Sequence, residues 1–345
     1  MKVLVTGGTG FIGSHTVVEL LRSGYDVTAF DNLENSEAEV ADAIRKISGK
    51  DFHFVKVDLR DADALEAALN QHPGISAVIH FAAYKAVGES VQFPLKYYEN
   101  NIGGTINLLA AMMKRSIYDL VFSSSCTVYG DVSAEKLPIT ESSPTVKANS
   151  PYGSTKKICE EMLEDISSGG KLKTVSLRYF NPIGAHDSAL IGELPIGTPT
   201  NLVPLITQTA IGKRKELIVY GNDYPTPDGT NVRDYIHVVD LGTAHVRALE
   251  YLKKMNAGSY EVFNIGTGKG NSVLEAIKAF EKVSGVKLNY RIGERRPGDV
   301  VQIYASCERA QTVLGWIAER DMENAMLCAW NWEQELAKHT SENKN

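Results

Sequence analysis

The sequence has few of the residues and patterns that define metal-binding, disulfide-bonded or membrane-spanning proteins. Its 345 residues include four cysteines, and no two of them have Cys-x-x-Cys spacing, so neither a zinc site nor a redox dithiol is predicted. The eight histidines form neither a His-Glu-x-x-His nor a His-x-His pattern, so no metal is expected. No apolar run approaches the ~18 residues of a membrane-spanning helix, and glycines interrupt the N-terminal apolar stretch too early for a signal peptide. We therefore expect a protein of the reducing cytoplasm with no membrane partner.

The chain also lacks an excess of basic charge. Its 36 Lys and Arg against 42 Asp and Glu give a formal net charge of −6, whereas a nucleic-acid binder would show a basic domain. A few local arginines could still hold an anionic small ligand. The hydrophobic content of 43% and charged content of 23% exclude a disordered chain, a collagen-like repeat and a disulfide-rich mini-domain. The length predicts roughly two domains.

Strand-like and helix-like segments alternate through the first half of the chain. Strands are predicted at 3–6, 26–30, 54–57, 77–81, 120–123 and 174–177, and helices at 12–22, at 101–114 and from 151. Alternation of this kind with nearly continuous apolar strands predicts an α/β fold, a doubly wound Rossmann-type parallel sheet covered on both faces. After residue 181 the rhythm becomes irregular. We expect a cofactor domain at 1–180 and a smaller α/β ligand domain at 181–345, with one strand near 262–265 returning to the first sheet.

A glycine-rich loop directly follows the first predicted strand and opens the first helix. Its Gly-x-Gly-x-x-Gly pattern lets backbone amides approach a pyrophosphate at the helix N-terminus. Asp31 closes the second strand, 18 residues after Gly13, where a carboxylate can bind an adenosine ribose and would repel a 2′-phosphate. The pattern favours NAD over NADP. The alternative is a tight turn with an incidental aspartate.

Asp58, after the third strand, could bind the adenine amino group or cap the next helix, and the sequence leaves both open.

A tyrosine and a lysine stand four residues apart at the start of a predicted helix. Ser150 and Pro151 are typical of an N-cap and first helical position, which places Tyr152 at the positive end of the helix dipole. Lys156 lies on the same face, and it would favour the phenolate, as would the positive nicotinamide ring of NAD⁺. Lowering the tyrosine pKa from about 10 by about three units needs roughly 4 kcal/mol. Tyr152 is therefore predicted to be a general base. The alternative is a surface tyrosine beside a lysine.

Ser125 lies at the carboxyl end of a predicted parallel strand, where ligands bind in such sheets. It could share a hydrogen bond with the reacting oxygen, or it could simply cap the strand end.

Together with the glycine loop and the Tyr–Lys pair, Ser125 forms a set of residues that resembles the extended short-chain dehydrogenase/reductase family, and most closely its UDP-glucose (UDP-galactose) 4-epimerase branch. The stretches that carry the resemblance are TGGTGFIGSHT at 6–16, DNLENS at 31–36, VIHFAAYKAVGES at 78–90, ENNIGGT at 99–105, FSSSCTVYGD at 122–131, SPYGSTK at 150–156, LRYFNPIGAH at 177–186, YGNDYPTPDGTNVRDYIHVVDL at 220–241 and RRPGD at 295–299.

The resemblance implies reversible interconversion of UDP-galactose and UDP-glucose, in galactose metabolism, through a transient 4-keto sugar with the hydride held on tightly bound NAD. Tyr152 would be the base at the sugar C4 hydroxyl, Lys156 would tune it, and Ser125 would assist proton transfer. The residues implied for the NAD site are Gly7, Gly10, Phe11, Ile12, Gly13, Asp31, Asn32, Asn35, Ser36, Asp58, Leu59, Phe81, Ala82, Ala83, Lys85, Asn100, Ser125, Tyr152, Lys156 and Phe180. Those implied for the UDP-sugar are Lys85, Ser125, Tyr152, Asn181, Asn201, Leu202, Tyr220, Arg233, Arg296, Asp299 and Ile303.

Two positions depart from the family pattern. Ala83-Tyr84 replaces a Gly-Leu before Lys85, which leaves the packing near the cofactor open. Ile303 stands where, in the family, a small residue admits N-acetyl sugars and tyrosine excludes them, so additional activity on UDP-N-acetyl sugars stays open. The resemblance also implies a homodimer formed through two helices of the cofactor domain. The segments 101–114 and 151–167 are the candidates, although their apolar positions could equally face the sheet.

Three other functions share part of this set of residues. A nucleotide-sugar dehydratase would place an Asp-Glu pair after Ser125, but Cys126 and Thr127 stand there. A net dehydrogenase or reductase would consume its cofactor stoichiometrically. A non-catalytic NAD-sensing regulator need not keep Tyr152, Lys156 and Ser125 together. Fold alone does not decide among these functions.

Overall fold

Strands and helices alternate along most of the chain in this computed structural model, which describes residues 1–146, 148–296 and 299–342. Pro297 and Gly298 of the RRPGD stretch lie outside the described residues. The strands are β1 (Lys2–Thr6), β2 (Asp26–Asp31), β3 (His53–Lys56), β4 (Ile75–His80), β5 (Asp119–Ser125), β6 (Lys173–Tyr179), β7 (Asn181–Ile183), β8 (Leu217–Tyr220), β9 (Val232–Arg233), β10 (Tyr235–His237), β11 (Tyr260–Ile265), β12 (Asn271–Ser272), β13 (Tyr290–Gly293) and β14 (Gln302–Ile303). The helices are α1 (Phe11–Arg22), α2 (Glu39–Ser48), α3 (Ala62–Gln71), α4 (Val87–Gln92), α5 (Pro94–Tyr97), α6 (Gly104–Lys114), α7 (Pro151–Ser168), α8 (Leu202–Ala210), α9 (Val238–Leu252), α10 (Val273–Ser284) and α11 (Met322–Glu342).

Seven parallel strands form the main sheet, in the spatial order β11-β6-β5-β4-β1-β2-β3. The prediction of a doubly wound parallel sheet is confirmed. The predicted strands of the first half begin and end within two residues of β1 to β6, and the segment 262–265 lies in β11, which pairs with β6. The chain moves outward in opposite directions from β1 and β4. Ligands bind at the carboxyl ends of the strands beside such a reversal.

Helices cover both faces of the main sheet, as the continuous apolar strands require. On one face α1, α2 and α9 bury side chains such as Leu20, Ile44 and Leu249. On the other face α3, α6 and α7 bury side chains such as Leu65 and Leu163. Because α9 and β11 belong to this layered unit, the second half of the chain returns to the main sheet before it ends.

The rest of the second half forms a smaller α/β unit. Strands β8 and β13 pair in parallel, β9 lies between β12 and β14, and β7 pairs with β10. Helices α8, α10 and α11 share a separate apolar core, to which Ile206, Phe280 and Trp330 contribute. In the part of the chain that the structure describes, no helix is both long enough and apolar enough to cross a bilayer.

Candidate active site

A cavity of about 890 Å³ lies at the carboxyl ends of the main-sheet strands. Its walls come from the loops that follow β1, β2, β3 and β4, from the end of β5, from α7 and from the segment 189–201. Every residue that the resemblance implies for the NAD site lines this cavity. The loops that a parallel sheet gathers at one edge therefore form a single enclosure.

The glycine loop fits a pyrophosphate. Gly7 has a φ of +69°, and a Cβ added there would stand 2.8 Å from the backbone nitrogen of Ala82, so a larger residue would be both strained and crowded. A Cβ on Gly13 would overlap the Gly7 carbonyl oxygen. No side chain caps α1, so its first amide groups, which no helical carbonyl can accept, are available to an anion at the positive end of the helix.

Asp31 shapes the loop after β2. Its carboxylate accepts hydrogen bonds from the backbone nitrogens of Thr9 (3.1 Å) and Leu33 (2.9 Å) and from the Ser36 hydroxyl (3.0 Å). Leu33 takes a φ of +62°, a left-handed conformation that is uncommon for leucine. The carboxylate thus fixes a tight turn and still lines the cavity, where it suits a ribose and repels a 2′-phosphate.

Asp58 is held by Arg60 and Asn32. Its oxygens accept from the Arg60 backbone nitrogen at 2.8 Å, from Arg60 Nη2 at 2.6 Å and from Asn32 Nδ2 at 3.2 Å. Hydrogen bonding to Arg60 lowers the Asp58 pKa to about 2. The alternative that Asp58 caps the next helix is wrong, because the N-cap of α3 is Asp61, whose carboxylate accepts from Ala64 N at 2.9 Å.

The Tyr–Lys pair lies at the start of α7, as the sequence predicts. Ser150 caps the helix through a 3.2 Å hydrogen bond from Gly153 N, and Pro151 takes the first helical position. Tyr152 is 9% exposed and Lys156 is 4% exposed. Both line the cavity together with Ser125, whose hydroxyl accepts from the backbone nitrogen of Thr127 at 3.2 Å.

The chain's own groups do not produce the lowered tyrosine pKa that the sequence analysis expects. Burial raises the pKa of Tyr152 to about 12, and a hydrogen bond with Ser125 opposes that rise only in part. Lys156 donates to the Ser123 carbonyl oxygen at 2.6 Å, and burial lowers the Lys156 pKa to about 8. Desolvation, which spacing along a helix does not reveal, disfavours the charged form of both groups.

A buried ion pair fixes α7 against β5 and β6. Arg178 donates to Glu160 through Nε at 2.9 Å and through Nη2 at 2.5 Å, and both side chains are less than 10% exposed. Ser124 also donates to Glu160, and Arg178 donates to the Tyr129 hydroxyl at 3.1 Å. Because Glu160 stands one helical turn after Lys156, this network sets the position of the lysine beside Ser123.

The residues implied for the UDP-sugar fall into two groups. Lys85, Ser125, Tyr152 and Asn201 line the cavity, whereas the lining does not include Asn181, Leu202, Tyr220, Arg233, Arg296, Asp299 and Ile303. Asn181 lies in β7, Leu202 begins α8, and Ile303 is buried in β14 in one apolar cluster with Phe180.

Four of the remaining residues form a cluster of their own, the arginine cluster (Tyr220, Arg233, Arg296 and Asp299). Arg296 Nη2 lies 2.7 Å from Asp299 Oδ1, and Arg233 Nη2 lies 3.8 Å from the same oxygen. The Arg296 guanidinium stands over the Tyr220 ring at 5.7 Å. Two guanidinium groups thus face one carboxylate, and one positive charge in this group has no acidic partner within it.

Glu193 and Trp332 are among the cavity residues that no sequence motif marks. Glu193 Oε1 accepts from Lys85 Nζ at 2.9 Å and from Asn201 Nδ2 at 2.6 Å. Trp332 of α11 donates through Nε1 to the Glu193 carbonyl oxygen at 3.1 Å. Glu193 lies in the Gly- and Pro-rich stretch 181–200, where the sequence shows only that the regular alternation of strands and helices ends.

The fold and this site together define the class of NAD-dependent short-chain dehydrogenase/reductase-like enzymes, in which a Tyr–Lys pair faces a dinucleotide loop. A sequence model of the NAD dependent epimerase/dehydratase family matches residues 3–266, and the chain belongs to this family. A similar relative is the UDP-glucose 4-epimerase of Bacillus subtilis (strain 168), 52% identical over 334 residues, 96% of this chain and 97% of the relative.

Two solved structures extend the comparison. The UDP-glucose-4-epimerase of Stenotrophomonas maltophila with bound NAD and formylated UDP-arabinopyranose has a TM-score of 0.94 and 47% identity, covering 98% of this chain and 99% of that one. The UDP-glucose 4-epimerase of Bifidobacterium longum in complex with NAD⁺ and UDP has a TM-score of 0.92 and 46% identity, covering 97% and 98%. The family resemblance inferred from the sequence motifs is confirmed.

Proposed function

We propose that this chain interconverts UDP-galactose and UDP-glucose by epimerisation at C4, with NAD as a bound cofactor. The observation that carries the proposal is the meeting of Ser125, Tyr152 and Lys156 in the same cavity as the glycine loop and Asp31. Relatives of about the same length and roughly half-identical sequence are UDP-glucose 4-epimerases, and similar structures hold NAD with UDP or a UDP-sugar.

NAD, when bound, supplies the acceptor and then the donor of the hydride at the sugar C4. Tyr152 removes the proton of the C4 hydroxyl as C4 becomes a ketone, and it returns the proton after the sugar has presented its other face. Ser125 shares a hydrogen bond with the reacting oxygen. Because Tyr152 returns the proton that it removes, the protein ends each cycle in its starting protonation state.

The burial of Tyr152 couples this base to the charge around it. With a pKa raised to about 12, the phenol stays protonated at neutral pH unless positive charge lies beside it. The oxidised nicotinamide ring carries such a charge and would add to that of Lys156, which is held by the Ser123 carbonyl and does not by itself offset the burial of Tyr152. Tyr152 is therefore an effective base only when oxidised NAD is bound to the protein.

The UDP part is held away from the reacting carbon. We assign the diphosphate to the arginine cluster, since forked guanidinium donors match phosphate oxygens, and we assign Lys85 and Asn201 to the cavity side of the same ligand. Binding energy from the nucleotide then need not restrict the sugar that turns over. Ile303 belongs to one apolar cluster with Phe180, which lines the cavity, so its size would bear on UDP-N-acetyl sugars through that wall.

The organisation of the whole protein follows from the same resemblance. We propose a cofactor domain of 1–180 to which α9 and β11 also belong, and a UDP-sugar domain from the rest of 181–345. A homodimer through α6 and α7 is supported by Ile106 and Ile158, which are 49% and 38% exposed, and sedimentation equilibrium tests it. Four free thiols support a cytoplasmic location.

The proposed reaction is tested by incubating purified protein with UDP-galactose and no added NAD, and by following the sugar nucleotides by NMR. A mixture of UDP-glucose and UDP-galactose without net reduced cofactor is expected. A parallel sample with UDP-N-acetylgalactosamine tests the effect of Ile303. No conversion even after NAD is added would reject the proposal for this sugar pair and favour a dehydratase or a net reductase.

A further inference from the structure

Tyr84, which departs from the family pattern, is built firmly into the wall of the cavity. Tyr84 is 5% exposed and lines the cavity. Its backbone nitrogen donates to Asn101 Oδ1 at 2.8 Å, and Asn101 Nδ2 donates to the Tyr84 carbonyl oxygen at 3.1 Å. The backbone is thus held from both sides, and the side chain has a defined direction.

The Tyr84 hydroxyl connects three loops of the cofactor site. It donates to the carboxylate of Glu34, in the loop after β2. Glu34 Oε1 in turn accepts from Arg60 Nη2 at 2.6 Å, and the same guanidinium nitrogen lies 2.6 Å from Asp58 Oδ2. We call Glu34, Arg60 and Tyr84 the adenosine clasp, because they join the loops after β2, β3 and β4.

The adenosine clasp stands beside the part of the cavity assigned to adenosine. Glu34 precedes Asn35, Arg60 follows Leu59 and Tyr84 follows Ala83, and each of these neighbours lines the cavity. The side chains of Arg60 and Glu34 are 32% and 41% exposed. The clasp therefore has one member on the cavity wall and two at its solvent edge.

At neutral pH the protonation states of Tyr84 and Glu34 favour the hydrogen bond between them. Burial raises the pKa of Tyr84 to about 12, so the hydroxyl stays a donor, while the Tyr84 hydrogen bond and Arg60 hold the pKa of Glu34 below its usual value. A hydrogen bond to a charged group is stronger than a neutral one. The leucine that the family pattern has at this position could not form it.

We propose that the adenosine clasp retains the cofactor, with Tyr84 as the residue that slows NAD release by tying the β4 loop to Glu34 and Arg60. The inference rests on the proposed NAD site and adds residues to it. Opening the adenosine end requires the three loops to separate. In this chain, separation breaks one hydrogen bond to a charged acceptor that a leucine would not supply.

The test is the rate at which bound, radiolabelled NAD leaves the full-length protein after a chase with excess unlabelled NAD. Tyr84→Phe removes one oxygen and keeps the ring, and release about tenfold faster than wild type is expected. Tyr118→Phe is the matched control, because it removes the same group just before β5, at the amino end of the sheet. Glu34→Gln should speed release by about three- to tenfold. Because both substitutions act on the same hydrogen bond, the double variant should speed release by less than the product of the two single effects.

The outcomes separate this inference from the proposed function. Wild-type protein that binds no NAD at all would overturn the proposed function and the clasp with it. Wild-type protein that binds NAD, with release unchanged in both Tyr84→Phe and Glu34→Gln, overturns the clasp alone. Thermal unfolding of each variant with NAD removed shows whether faster release follows from a general loss of stability, in which case the clasp has no specific role.

Discussion

The cavity and the arginine cluster are built in different ways. The cavity takes its walls from loops that begin where parallel strands end, and its polar groups include backbone amides, the Asp31 carboxylate, a buried phenol and a buried lysine. The arginine cluster takes single side chains from β8, β9 and the segment before β14, and its cations are paired with the chain's own Asp299. The first region holds its groups in place before any ligand arrives, whereas the second, on the assignment proposed above, exchanges Asp299 for a phosphate when the ligand binds. We therefore expect changes at Tyr152 and Lys156 to alter turnover, and changes in the arginine cluster to alter UDP affinity.

The largest effect is expected at Tyr152. Tyr152→Phe removes the only atom of that side chain that can exchange a proton with the C4 hydroxyl, and turnover should fall by ~10²–10⁴-fold. Calorimetric binding of UDP should be unchanged, because the ring remains and the arginine cluster is untouched. Tyr118→Phe serves as the control for loss of a hydroxyl. Turnover near wild type in Tyr152→Phe would remove the catalytic assignment.

The next effect is expected at Arg233, the less exposed arginine of the cluster, with a side-chain exposure of 16% against 53% for Arg296. Loss of a charge-assisted hydrogen bond of about 1.5–3 kcal/mol should weaken UDP binding by roughly 10- to 150-fold in Arg233→Ala. Arg296→Ala should lose less, since solvent screens its charge. The rate of NAD release should change in neither variant.

Arg295→Ala is the matched control for these two variants. Arg295 adjoins Arg296 in the chain, but it pairs with Asp223 at 2.7 Å and stacks on Tyr224. UDP affinity close to wild type is expected for it. Equal losses in Arg295→Ala and Arg233→Ala would show that general positive charge, and not the arginine cluster, attracts the diphosphate.

Sequence motifs predict the residues of the cavity that belong to short local patterns, but they do not predict contacts between residues that are far apart in the chain. The glycine loop, Asp31 and the Tyr–Lys pair are short patterns tied to strand and helix ends, so local rules locate them. Tyr84 and Glu34 are 50 residues apart, Lys85 and Glu193 are 108 apart, and Glu193 and Trp332 are 139 apart. No periodicity encodes such contacts, which exist only once the sheet has brought its loops together.

The pKa of Tyr152 shows a second limit. The sequence correctly places Tyr152 and Lys156 in one helix, and spacing alone suggests that the lysine charge lowers the tyrosine pKa. In the folded chain without a cofactor, burial instead raises the pKa of Tyr152 and lowers that of Lys156. Desolvation depends on every element packed around a site, so it cannot be predicted from the two residues themselves.

The pH dependence of turnover separates the two regions further. Burial lowers the pKa of Lys156 to about 8, so the ammonium is complete below that pH and is lost as the pH rises through it. Turnover should therefore fall by about tenfold per pH unit above about pH 8. Binding of UDP-glucose should stay constant from about pH 7 to about pH 9, because guanidinium groups keep their charge.

The measurement for this prediction is kcat against pH for the wild type and Lys156→Arg. Arginine stays protonated over this range, so the alkaline decline should disappear even if the variant turns over more slowly. A wild-type profile that is flat to about pH 9.5, or an equal decline in both proteins, would show that Lys156 does not support the Tyr152 phenolate through its charge.

The smallest effect is expected at Glu193, on the cavity wall. Its carboxylate accepts hydrogen bonds from both Lys85 and Asn201. These are the two cavity residues assigned to the UDP-sugar besides Ser125 and Tyr152. Glu193→Gln keeps an oxygen for the Asn201 amide but removes the negative charge that pairs with Lys85, so that Lys85 is free to bind the UDP-sugar. Since the Lys85 side chain is 55% exposed, the pair contributes about 0.2–1 kcal/mol, and KM should fall by about 1.4- to 5-fold with kcat retained. Glu216→Gln, which breaks an exposed pair with Arg291, is the control. A higher KM in Glu193→Gln would show that Glu193 orients Lys85 for the substrate, so that this edge of the cavity, like the catalytic part and unlike the arginine cluster, is set before the ligand binds.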